Sequence, residues 1–90
     1  MSPEIKIIGH ARERGKERGA SEEEIRQTIE SGKEIGAKKG RKAKEKIFVY
    51  NKQWLGKEYV QKKIQAIYVE ERGQAVIITV KVFYGNWGEP

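Results

Sequence analysis

His10, Arg14 and Arg18 stand four and four residues apart. On a helix that spacing sets them in one column, each about 40° further round than the last. One imidazole and two guanidiniums in a column make a receptor for a phosphodiester. Arginine grips phosphate through two parallel N–H bonds, and histidine is the side chain that ordinarily titrates near neutral pH. Such a trio can cleave RNA without metal. A base takes the ribose 2′-hydroxyl proton, the freed oxygen attacks the adjacent phosphorus, and cations stabilise the charge on the phosphoryl oxygens. His10 is the candidate base or acid, with Arg14 and Arg18 as the clamp. The trio also has a purely structural reading. His10 can bond backbone near a helix start, while Arg14 and Arg18 pair with Glu17, Glu22 or Glu23 and lay their stems over the core.

The columns beside the trio are unusual too. Arg12 and Lys16 are like-charged at i, i+4, and so are Glu13 and Glu17. Each such pair costs an isolated helix about 0.2–0.5 kcal/mol, which the i, i+3 pairs Glu13–Lys16 and Arg14–Glu17 offset by a similar amount. A helix arranged for stability alone sets glutamate four residues before lysine. Here the cations are aligned instead.

A second basic feature lies downstream. The formal net charge is +6, and the segment from Lys33 to Lys46 supplies +5 of it through seven basic and two acidic residues. The excess is therefore local. Lys38, Lys39, Arg41, Lys42, Lys44 and Lys46, with Gly36 and Gly40 among them, read as a loop or ragged strand able to follow an irregular polyanion. Phosphate neutralisation with counterion release is the function such a segment fits. A solvated loop that maintains solubility is the competing reading.

Composition bounds the rest. Ninety residues make one domain, spanning 1–90, with an apolar share of 37 % that is enough for one thin core. There is no cysteine and a single histidine, so neither a disulfide framework nor a zinc cluster can be assembled from this chain, and no metal or cofactor is expected. The start lacks the apolar run of a signal peptide, and the longest apolar stretch, Ala75 to Val80, is far short of a membrane span. These features predict a soluble, cytoplasmic protein.

The elements that must position the basic residues follow from pattern. Ile5, Ile7 and Ile8 form a short apolar lead-in, and Gly9 to Arg18 favours helix until Gly19 breaks it. Ser21-Glu22-Glu23-Glu24 is a capping box for a second helix over Glu22–Ser31, with Ile25 and Ile29 on one face and Gly32 as its stop. Lys46–Tyr50 predicts a strand, Asn51 to Gly56 a turn with Trp54 and Leu55 tucked against the sheet, and Lys57–Glu70 a long strand. Gly73 marks a hairpin, and Ala75–Tyr84 is the strongest strand. Its alternation predicts Val76, Ile78, Val80 and Val82 facing the helices, with Thr79 and Lys81 on the open face. The expected fold is α+β: two N-terminal helices packed on a small antiparallel meander.

The stretch from His10 to Ile25, His-Ala-Arg-Glu-Arg-Gly-Lys-Glu-Arg-Gly-Ala-Ser-Glu-Glu-Glu-Ile, resembles the signature of a bacterial and archaeal family designated domain of unknown function 4258. Its pattern is His-Ala, Arg four later, Arg-Gly four further, a small apolar residue, Ser or Thr, and an acidic helix start. Val76-Ile77-Ile78-Thr79-Val80 is similar to the family's closing strand. The resemblance spans about His10 to Val82 and sets His10, Arg14, Arg18 and Thr79 at motif positions. Ala20 departs from the commoner Ile or Val, and Lys81 stands where an aromatic residue is frequent, adding a cation beside Thr79. The resemblance implies a relative of the RelE/ParE-type toxin fold, whose members include endoribonucleases, some ribosome-dependent, neutralised by a small antitoxin. Related domains also occur at the ends of secreted bacterial toxins.

The leading expectation is a metal-independent endoribonuclease of toxin type. RNA, including ribosome-bound message, is its substrate, and an antitoxin or immunity protein is its partner. A non-catalytic RNA-binding module, using Tyr50, Trp54, Tyr59 and Tyr68 as stacking groups, is the alternative; core or turn packing is the other use of those rings, and for Trp54 the favoured one. A third reading is a scaffold whose open sheet edge pairs with another chain.

Overall fold

The computed structural model describes residues 4–88. Seven elements follow one another: β1 (Glu4–Ile7), α1 (Gly9–Arg18), α2 (Glu22–Ser31), β2 (Lys33–Ile35), β3 (Lys42–Trp54), β4 (Lys57–Glu71) and β5 (Gln74–Gly85). The strands form one sheet in the order β1-β5-β4-β3-β2. β2, β3, β4 and β5 pair antiparallel, whereas β1 joins β5 in parallel, Ile5 beside Ala75 and Ile7 beside Ile77.

This corrects the expected fold class. Strand makes up 55 % of the described residues and helix 24 %, so the fold is mostly β. The helices are an excursion between β1 and β2, and the sheet is mixed and five-stranded, not a small antiparallel one under N-terminal helices. The difference arises at two places. Ile5 and Ile7 find their partners some seventy residues away on β5, and no local pattern announces parallel pairing. The basic segment is largely strand: Lys33–Ile35 pairs with Ala43–Glu45, leaving residues 36–41 as the loop.

Both helices run over the predicted spans. In α2 the Ser21 hydroxyl accepts from the Glu24 amide at 3.1 Å, and the Glu24 carboxylate accepts from the Ser21 amide at 3.0 Å. Ile25 and Ile29 are buried, each contributing about 1.5–3 kcal/mol. α1 buries only Ala11 and Gly15, so its backbone lies close to its neighbours. A Cβ on Gly15 would stand 3.2 Å from Ile25 Cδ1. Gly19 ends α1 at φ 95°, with its amide bonded to Lys16 O and that of Ala20 to Gly15 O. This double bond closes the helix and requires a left-handed residue. Gly19 could carry no side chain in any case, since its Cβ would lie 2.1 Å from the Tyr84 hydroxyl.

Two-residue turns at Leu55–Gly56 and Arg72–Gly73 join the long strands, every φ positive as the primed hairpin turns demand. Leu55 does not tuck against the sheet; it is 89 % exposed at the hairpin tip. Trp54 does pack, stacking on Tyr84 at 4.8 Å between centroids.

β5 does not keep one phase. Tyr68 pairs with Ile77 and Ile67 with Thr79, leaving Ile78 without a cross-strand partner. This β-bulge reverses the alternation. Before it the buried residues are Ala75 and Ile77, and after it Val80, with Val82 half-buried against the same core. The predicted inward row is right for Val80 and Val82 and wrong for Val76 and Ile78.

The helical corner is held by Lys62 of β4. Its side chain is 8 % exposed, and its ammonium donates to Gly19 O at 2.6 Å and Glu24 Oε1 at 2.8 Å, beneath the Tyr50 ring. Burial pushes the Glu24 carboxyl up, but the Lys62 ammonium and the Ser21 bonds outweigh it and hold the group below its ordinary value of 4.5. Burial also raises the Tyr84 phenol to about 12, helped by Tyr50 and Glu24. Tyr84 therefore stays a donor, to Arg18 O at 2.6 Å.

Two expectations follow from this corner. Lys62→Ala removes the side-chain donor of Gly19 O and the counter-charge of Glu24 together and should cost about 2–4 kcal/mol in urea denaturation. Because the folded carboxyl of Glu24 is depressed, its contribution is complete above the unfolded value near 4.5 and is lost as pH falls through the lower folded value. The melting temperature should drop over that acid window, and by less in Glu24→Gln. An equally steep drop in the variant would assign the acid sensitivity to other carboxylates.

Candidate nucleic-acid interface

His10 and Arg14 are exposed on α1, in its first and second turns, and Arg18 is half-buried at its end. They line one shallow cleft of about 240 Å³ with Ala11, Ile78, Thr79 and Val80. The bulge shapes the opposite wall. It presents Ile78 and Thr79 to the cleft while Val80 turns into the core. Arg18 Nη1 donates to Val80 O at 2.6 Å, fixing the guanidinium against the strand. Arg14 has a loose contact with Glu17 at 3.8 Å. Among the described residues the His10 imidazole has no protein hydrogen-bond partner, so nothing in the fold uses it.

On the open face of the sheet lies a larger cleft of about 560 Å³. Its floor is Ala43 and Ile67, its wall Ile35 with Gly36 and Ala37 of the loop, and its rim carries Lys38, Arg41 and Lys81. Thr79 lines both clefts. The column of His10, Arg14 and Arg18 is thus not bordered directly by the basic loop. The two basic features meet through Thr79.

The remaining candidates of the basic segment divide by what holds them. Lys42 pairs with Glu70, whose hydrogen bond and charge raise the lysine pKa. Lys44 Nζ donates to Ile29 O at 2.9 Å and Lys46 Nζ to Ser31 Oγ at 2.6 Å. Both stand at the C-terminal end of α2, where carbonyls lack partners and a cation is favoured. Lys39 is exposed on the loop but lines neither cleft. Lys38, Arg41, Thr79 and Lys81 gather on one cleft, while Lys42, Lys44 and Lys46 serve the fold. Among the described residues no three His, Cys, Asp or Glu side chains gather as a metal site, and no helix is long and apolar enough to cross a membrane.

The aromatics considered for base stacking pack on the protein itself. Tyr50, Trp54 and Tyr59 surround Tyr84 with centroids 4.8–5.6 Å away, and Tyr68 is buried. Gln65 and Ile67 are lining residues that the sequence reading missed. Their signal was the outward phase of β4, where Lys63, Gln65 and Ile67 alternate with the buried Lys62, Ile64, Ala66 and Tyr68.

Residues 7–82 match the family model described as domain of unknown function DUF4258. The match covers most of the chain, and the protein belongs to that family. No curated protein and no solved structure matches it.

The split within the column is measurable. Arg18→Ala should cost about 1–2 kcal/mol, because the Val80 carbonyl of β5 loses a charged donor. His10→Ala and Arg14→Ala should stay within about 0.5 kcal/mol, as exposed positions do. A loss at His10 as large as that at Arg18, in urea denaturation, would make the imidazole a structural group.

Proposed function

We propose that the protein is a metal-independent endoribonuclease of toxin type, cleaving RNA by attack of a ribose 2′-hydroxyl on the neighbouring phosphodiester. The observation that carries this reading is the shared cleft of His10, Arg14, Arg18 and Thr79. An imidazole unused by the fold faces the same space as one guanidinium held only loosely by Glu17 and one anchored to the strand. The first turn of α1, which carries His10, is also the end of a helix that favours an anion.

In this reading His10 takes the 2′-hydroxyl proton, the oxygen forms a bond to phosphorus, and the bond from phosphorus to the 5′-oxygen breaks. The departing 5′-oxygen takes a proton from solvent. Arg14 grips the non-bridging oxygens, and Arg18 offers them the donors that Val80 O does not use. Stabilising charge that develops only in the transition state is what accelerates the step. RNA, free or as message on the ribosome, is the substrate. A small antitoxin or immunity protein restrains the enzyme, and the cytoplasm is where it acts. Thr79 and Lys81, with Lys38, Lys39 and Arg41, hold the strand.

Purified protein should cut RNA in the presence of a chelator, leaving a 2′,3′-cyclic phosphate and a 5′-hydroxyl, and should spare DNA. His10→Ala should lower the rate by about a hundredfold or more. Arg14→Lys should also lose activity, since an ammonium does not reproduce the planar fork. Induced expression in a bacterium, followed by growth and message integrity, covers the ribosome-dependent case. The reading fails if the His10→Ala protein is as toxic, and as active on translated messages, as the unaltered one.

A further inference from the structure

We infer that the 560 Å³ cleft on the open sheet face is a pocket for one unpaired nucleotide, in which Gln65 reads the base. The inference rests on the endoribonuclease reading and assigns the feature that reading lacks, a source of sequence preference.

The cleft is built of two kinds of surface. Its floor and wall are apolar, from Ile35, Ala37, Ala43 and Ile67. A phosphate ion would leave that surface bare; a flat heterocycle would cover it. The rim carries Lys38, Arg41 and Lys81, and no acidic residue lines the space. Among the described residues none of these three cations is ion-paired, in contrast to Arg12, Arg14, Lys42 and Lys62, each of which has a carboxylate. Uncompensated cations around an apolar floor suit a ligand with a planar apolar part and an anionic part. The volume lies in the range of small-ligand sites.

Gln65 supplies direction. It stands between Glu45 and Lys81 in one cross-strand row, and its Nε2 donates to Glu45 Oε1 at 3.0 Å. That bond fixes which way the amide points. One N–H is used, leaving the carbonyl oxygen and the second N–H without a protein partner on a side chain that lines the cleft. An adjacent acceptor and donor is the pattern a glutamine uses to pair with a base edge. A base inside a duplex cannot enter, because its edge is already paired and it is held in the stack. The occupant is therefore single-stranded. Thr79 joins this cleft to that of His10, Arg14 and Arg18, so a base held here has its flanking phosphate beside the cleaving groups.

The test uses full-length His10→Ala protein, so that binding is read without cleavage. It is titrated with each of the four 5′-nucleoside monophosphates and with inorganic phosphate, followed by backbone amide NMR shifts. Shifts should concentrate at Ala43, Gln65, Ile67 and Thr79. One nucleotide should bind at least about threefold tighter than the others, and inorganic phosphate at least about tenfold weaker, since phosphate leaves the apolar floor uncovered. Gln65→Leu should flatten the preference among nucleotides. A duplex hairpin without unpaired bases should leave the cleft residues unshifted. Phosphate binding as tightly as the nucleotides, a preference that survives Gln65→Leu, or shifts centred elsewhere would each overturn the pocket. The sequences at cleavage sites, compared between the unaltered protein and Gln65→Leu, separate the two levels. Cleavage whose sites do not change with Gln65 leaves the nuclease standing and removes the base pocket. Selective nucleotide binding by a chain that never cleaves does the reverse.

Discussion

A single buried ammonium organises this molecule. Lys62 enters from the middle of the sheet and meets the carbonyl that closes α1 and the carboxylate that opens α2. The first is an unpartnered carbonyl of a helix end and the second a charge, and each would be expensive to bury without a donor of opposite sign. The ammonium satisfies both at once, and the Tyr50 ring covers it. The angle between the helices is then not free. Gly15 lets α1 press against Ile25, Gly19 makes room for the Tyr84 hydroxyl, and that hydroxyl takes the last carbonyl of α1. The alignment of α1 along β5, on which the position of His10 and Arg14 depends, follows from this corner.

What was legible in the sequence is what local chemistry determines. The capping box, the start and stop of α2, the helical span of α1 and the hairpin at Gly73 depend on residues within four positions of each other. What was not legible depends on distant partners. The pairing of Ile5 and Ile7 with β5 is a contact between chain ends, and it changes the sheet from antiparallel to mixed. The inward row of β5 was half right because alternation is a local rule and a bulge is a property of a pair of strands. Lys62 gave no signal of its own: in sequence it is one of two adjacent lysines, and only its partners show that it is internal.

The basic segment shows how counting charge differs from locating it. Seven cations between Lys33 and Lys46 looked like one polyanion-binding run. Folding sorts them. Those on β3 end on a helix terminus or a glutamate, and the loop residues Lys38 and Arg41 converge with Lys81, which belongs to a strand forty residues on. An excess of positive charge is thus divided between fastening the fold and furnishing a surface. The division follows the pleat, because Lys42, Lys44 and Lys46 share the face that meets the helices.

The extra residue at Ile78 stores information in an unusual form. Which side of β5 looks at the clefts is a matter of parity, odd or even, and not of residue type. Substitutions along the strand can tune the surface by degrees. Losing the bulge with every residue kept would do something discontinuous: strict alternation from Ile77 would exchange the roles of Thr79 and Val80, bringing a hydroxyl into the core and an isopropyl group to the ligand side. A chain without the extra residue and a chain with it are therefore comparable beyond the bulge only when a one-residue gap is set there. Aligned letter against letter, they would set the inside of one molecule against the outside of the other.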